Sequence, residues 1–184
     1  MILEWLDAQL QTLTVFWLFP IIFMFHDFEE MLTIEKWTKR HKEQVFKILP
    51  KSIHKYFYSS FQMTTLQFAH DGFWIFLAIT MATVLAVLFS FTFLFLMLLA
   101  IFFGHVFTHI GQTLILKRYT PGVLTAIILV FPYSSYAYYR LLNEHIISET
   151  EIFWSFIGAI LILPILFLFL VHERNKGTKT SYRL

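Results

Sequence analysis

Cysteine is absent from the 184 residues, which excludes disulfides, thiolate metal sites and a cysteine nucleophile. Charge is scarce as well, with Asp, Glu, Lys and Arg making up 14% of the chain against 58% for hydrophobic residues. A soluble chain of this length could not bury so much apolar surface in one core. No Lys or Arg precedes Lys36. The first apolar run therefore lacks the basic leader of a signal peptide and is expected to stay attached. There is no internal repeat, low-complexity tract or soluble appendage. The net charge of +2 offers no basis for nucleic-acid binding, and none is expected.

What is present is a series of long apolar runs, the mark of an all-α, polytopic membrane helix bundle. One transmembrane domain is expected over residues 1–184, with five spans at about 12–34, 62–88, 92–116, 121–142 and 152–171. The stretch 62–116 is far longer than the ~20 residues one helix needs, so it must fold back, best near Ser90–Thr92. Basic residues set the orientation. All but one of the fourteen fall on a single side of this arrangement: seven in segment 35–60, Lys117 and Arg118 in a turn, and four in the tail. Arg140 alone lies opposite. This predicts an outside N-terminus and a cytoplasmic C-terminus, in a bacterial plasma membrane. The segment 35–60 mixes Lys and Arg with Trp37, Val45, Phe46, Ile48 and Leu49. It reads as an amphipathic helix on the cytoplasmic leaflet, with membrane lipids as neighbours, or as a solvated connector. Thr120-Pro121-Gly122 reads as a helix start with Thr120 as its cap, and Pro20, Pro132 and Pro164 should kink their spans. Tyr133, Tyr136, Tyr138 and Tyr139 read as an interfacial belt.

Against this apolar background, the stretch His26-Asp27-Phe28-Glu29-Glu30 stands out, because charges at depth in a bilayer cost ~2.5–3.5 kcal/mol each. At 100° per residue, His26, Glu29 and Glu30 share one arc, with Asp27 at its edge. On the third span His105 and His109 are one turn apart and Gln112 continues their stripe. The second span adds His70 and Asp71, with Gln67 a turn earlier. Counting from the basic markers at 1.5 Å per residue, His26, His70 and His109 all lie roughly 12–15 Å below the cytoplasmic boundary. Shared depth on three helices argues for one site.

Imidazole and carboxylate together suit a divalent transition metal such as zinc or iron, held by His26, Glu29, Glu30, His70, His105 and His109. Asp27, Gln67, Asp71 and Gln112 would form the surrounding layer. Adjacent carboxylates in low dielectric repel, a conflict that a cation or imidazolium partners would relieve. Taken one at a time, each histidine could equally be a hydrogen-bonding contact between helices. His41, His54, His145 and His172 fall in loops or tails and read as surface residues.

The His26-Asp27-Phe28-Glu29-Glu30 stretch, a histidine in a later span and Tyr119-Thr120-Pro121-Gly122 together resemble the HXXEE family of small integral membrane proteins. The likeness runs from the first span to the fourth. It implies an enzymatic role and carries over His26, Glu29, Glu30 and His109; His70 and His105 rest on helix geometry alone. Other membrane-enzyme signatures are missing. There is no HExxH, Ile34 stands where a Glu-Glu-x-x-x-Arg pattern needs Arg, no serine sits in a nucleophile elbow, and the histidine boxes of desaturases are not matched.

The expected function is a metal-dependent membrane hydrolase or transferase acting on a lipid or other apolar molecule, with Glu30, Glu29 and His26 as catalytic residues. Di-iron oxidation is the second choice of chemistry. A proton- or ion-coupled carrier, which would need a homodimer, and a non-catalytic assembly factor are the alternatives.

Overall fold

The computed structural model describes residues 2–48, 50, 54 and 63–181, with Ile2 and residues 166–181 described by backbone alone. Among these residues all regular structure is helical. A short helix α1 (Ile2–Gln9) leads into α2 (Thr12–Ile48), then α3 (Thr65–Phe89) and α4 (Phe93–Leu116). A single turn α5 (Val123–Thr125), a π-helical segment (Ala126–Val130), α6 (Phe131–Asn143) and α7 (Glu149–Ser181) complete the order. Helices α2, α3 and α4 are each long and apolar enough to cross a membrane. Their outer faces carry large apolar side chains, such as Leu66, Phe73, Met81 and Leu88 on α3.

Local signals explain the boundaries. Thr64 and Gln67 form a reciprocal capping box at the start of α3. Glu35 reinforces it from α2, its Oε2 accepting from both the backbone N and the hydroxyl of Thr65 at 2.8 Å. Ser90 takes a left-handed conformation (φ 55°) that ends α3 and reverses the chain, as expected for the long apolar stretch. The expected cap at Thr120 is not formed. Gly122 holds the N-cap position (φ 83°), and the Thr120 hydroxyl pairs with that of Thr113 at 2.6 Å. Beyond Thr125 the helix widens into the π segment just before Pro132, whose missing N–H cannot complete an α-helical ladder.

Among the described residues, the basic stretch 35–48 belongs to the same helix as the apolar run before it. It continues α2 without a break, because Lys, Arg and Glu are good helix formers and the change in polarity carries no stop signal. Lys51, Lys55 and Arg183 lie outside the described residues.

The core sits between α2 and α4. Phe19 packs edge-on against Phe95 with ring centroids 5.2 Å apart, and Phe16 does the same at 4.9 Å. Ala82 and Ala86 on α3, with Ala126 and Ala137 further on, let backbones approach closely. Helices surrounded by hydrocarbon associate mainly through such packing. The tyrosines are not an outward belt. Tyr133 and Tyr136 are buried; the Tyr133 hydroxyl donates to the Val15 carbonyl, and Tyr136 reaches Asp7.

Candidate metal centre

One turn of α2 brings His26 and Glu30 onto the same face, directed at α4, where His105 and His109 are likewise one turn apart. Ligand atoms from these four residues all lie within 4.8 Å of one another, so the group could hold a metal ion. Glu30 Oε1 is 3.5 Å from His109 Nε2, and Glu30 Oε2 is 3.8 Å from His26 Nε2. The Nε2 atoms of His105 and His109 are 2.7 Å apart. Tetrahedral bonds of ~2.0–2.1 Å would place ligand atoms about 3.3 Å from each other, a value these separations bracket. His26 and His109 are almost fully buried, at 2% and 3% exposure.

Glu29 plays a different part from Glu30. Its Oε2 accepts from the backbone N of Thr125 at 2.7 Å and from the Thr125 hydroxyl at 2.6 Å, and its Oε1 accepts from the Tyr119 hydroxyl at 2.6 Å. It stands outside the four-ligand group. The Thr125 oxygen is in turn 2.9 Å from His26 Nδ1. A hydroxyl has one hydrogen, and the carboxylate takes it. The contact to His26 must therefore run from Nδ1–H to the Thr125 oxygen. That fixes the tautomer and leaves a lone pair on His26 Nε2, which is buried and receives no hydrogen bond from any described residue. A carboxylate that orients an imidazole through its far nitrogen is the usual support around metal-ligating histidines.

The Tyr119-Thr120-Pro121-Gly122 turn closes the site. Its backbone passes so near that a Cβ on Gly122 would lie 2.6 Å from His109 Cε1 and 2.9 Å from Glu30 Cγ. The positive φ there also favours glycine. The Tyr119 carbonyl accepts from Trp37 Nε1 at 2.7 Å, fixing the turn to α2.

The remaining candidates are spread more widely. His70 is largely exposed; its Nε2 accepts from Trp74 Nε1, and it stands outside the group. Gln67 serves the α3 capping box, and Gln112 is exposed. Asp27 and Asp71 are both buried at 5% exposure and line a cavity of about 250 Å³ that also reaches His26, Glu30 and His105. Thr125, which the sequence reading passed over, is the key supporting residue. Its signal was faint: the single polar side chain between Gly122 and Pro132.

A family model described as a protein of unknown function with HXXEE motif matches residues 17–137. The chain belongs to the HXXEE family. No curated protein and no solved structure matches it. In this HXXEE protein the motif letters divide by role: His26 and Glu30 enter the four-ligand group, whereas Glu29 holds His26 in place through Thr125.

Proposed function

We propose that this chain is a metal-dependent enzyme of the bacterial plasma membrane that hydrolyses or transfers a group on a lipid-like, apolar substrate. In this reading α5, the π segment and α6 together form a fourth span and α7 a fifth, with the N-terminus outside and the basic residues on the cytoplasmic side. The observation that carries it is the four-ligand group adjoining an apolar cavity inside a bundle of membrane-length helices. A divalent ion held there would supply Lewis-acid activation of water or of a substrate carbonyl at neutral pH. His26, His105 and His109 provide the neutral donors. Glu30 faces two of them with different oxygens, so one oxygen can complete the donor set while the other takes up the proton released from water. Glu29, Thr125 and Tyr119 keep His26 in the correct tautomer, and the packed aromatic core beside it excludes bulk water.

The test is turnover. The purified chain, in nanodiscs of bacterial lipid extract, is incubated with and without Zn²⁺ or Fe²⁺ and the lipids are profiled by mass spectrometry. A product that accumulates only with metal, and not with Glu30→Gln, is the expected result. A lipid profile unchanged by metal, together with ion flux into liposomes that His109→Ala abolishes, would replace the enzyme with a carrier.

A further inference from the structure

The cavity beside the four-ligand group carries information about the molecule it accepts. Its walls come from α2, α3 and α4, and its polarity is graded. Phe23, Ile79, Leu98 and Phe102 line one end; Asp27, Glu30 and Asp71 line the other. Residue numbers rise from the apolar to the polar end on α2 and α4 and fall from Ile79 to Asp71 on the antiparallel α3, with Phe68 closing the wall one turn beyond Asp71. At ~30 Å³ for each water-sized group, about 250 Å³ admits a head and roughly seven chain atoms.

The polar end is acidic. Among the described residues no Lys or Arg lines the cavity, and Asp27 is 95% removed from solvent yet accepts no hydrogen bond from any of them. Its carboxylate lies against Gly72, where a Cβ would come within 2.9 Å of Asp27 Cγ, so the absent side chain is what makes room for it. A buried carboxylate without a donor is costly unless something supplies one. With Glu30 committed to the four-ligand group, an anionic head would still meet the carboxylates of Asp27 and Asp71, whereas an ammonium brings three N–H donors and the opposite charge.

We propose that this cavity binds a single-chain cationic amphiphile, its alkyl chain between α2, α3 and α4 and its ammonium head on Asp27. The inference rests on the membrane-enzyme reading above, for which it names the substrate class.

Full-length protein in nonionic micelles, with bound metal counted in every sample, is dialysed against n-octylamine, 1-octanol or octanoate, with empty micelles as the blank. Octylamine should bind about tenfold tighter than octanoate. Asp27→Asn should remove most of that preference while changing octanol affinity less than about threefold. Leu98→Phe, which narrows the apolar end of the cavity, should shift the best amine to a shorter chain; this keeps the proposal testable should Asp27→Asn fail to fold. Equal binding of octanoate and octylamine, or a preference unchanged in Asp27→Asn, overturns it. Amine preference in a protein that takes up no metal supports the head assignment and removes the enzyme reading. Metal uptake without amine preference does the reverse.

Discussion

Two polar clusters lie about 20 Å apart along α2, one near Thr12 and one at His26. At the first, Arg140 pairs with the Asp7 carboxylate at 2.8 Å and with Glu144 at 2.5 Å, and it donates to the Asp7 backbone carbonyl at 3.1 Å. Tyr136 and Tyr139 donate to the same Asp7 carboxylate, and Thr12 to Glu144. One guanidinium is shared there by two carboxylates and hydroxyl donors meet the remaining acceptors, leaving among the described residues of that cluster only Arg140 Nε unpaired. Among the described residues the second cluster has three imidazoles and a carboxylate but no Lys or Arg, and the buried His26 Nε2 that faces Glu30 has no hydrogen-bond partner. A cluster built to join α1 to α6 satisfies itself. One built for a ligand keeps its lone pairs open.

The sharpest break in this comparison is His109→Ala. It should take bound metal from about one equivalent to near none, because three-coordinate sites with one ligand gone hold transition metals poorly. Gly122→Ala comes next. The new methyl would strain a left-handed position, at ~1–3 kcal/mol, and press on His109 and Glu30, so both the melting temperature and metal content should fall. Glu29→Gln or Thr125→Val should weaken metal affinity about 10–100-fold while preserving full occupancy at saturating metal, as loss of an orienting partner does. Titration against a competing chelator measures this. Arg140→Met should act only at the other end, lowering thermal stability with metal content unchanged.

Acid probes the same contrast most gently. The hydrogen bond from Arg140 holds the Asp7 carboxyl below its ordinary value of 3.8. A carboxyl depressed in the folded state contributes stability that is fully present above that value and is lost as pH falls through the folded one. Docking of α1 should therefore survive at pH 5 and fail only below about 3.8, with Trp5 fluorescence as the readout. Asp7→Asn should flatten that profile.

Much of this was legible in the sequence, for identifiable reasons. Length and polarity define apolar runs without any knowledge of contacts, which located α3, α4 and the reversal at Ser90. Helical rise gave His26, His70 and His109 a common expected depth, and the i, i+4 spacing of His26 with Glu30 and of His105 with His109 follows from helical twist. Rotation about the helix axis relative to neighbours does not follow from one helix alone. His70 shares their depth but points outward, and Gln67 turns back to cap its own helix. The partition between Glu29 and Glu30 was hidden as well, because it depends on Thr125, ninety-six positions away in the chain, meeting Glu29 across the bundle. The full length of α2 was not visible in the apolar run alone, since a switch from apolar to basic residues marks a change of surroundings and leaves the helix intact.

Elemental analysis of the full-length protein, purified without chelators and then offered Zn²⁺ or Fe²⁺, should find close to one equivalent of a single transition metal, falling to trace levels in His109→Ala and unchanged in Arg140→Met. Wild-type protein that retains under ~0.2 equivalents of every transition metal after that exposure would contradict the metal reading.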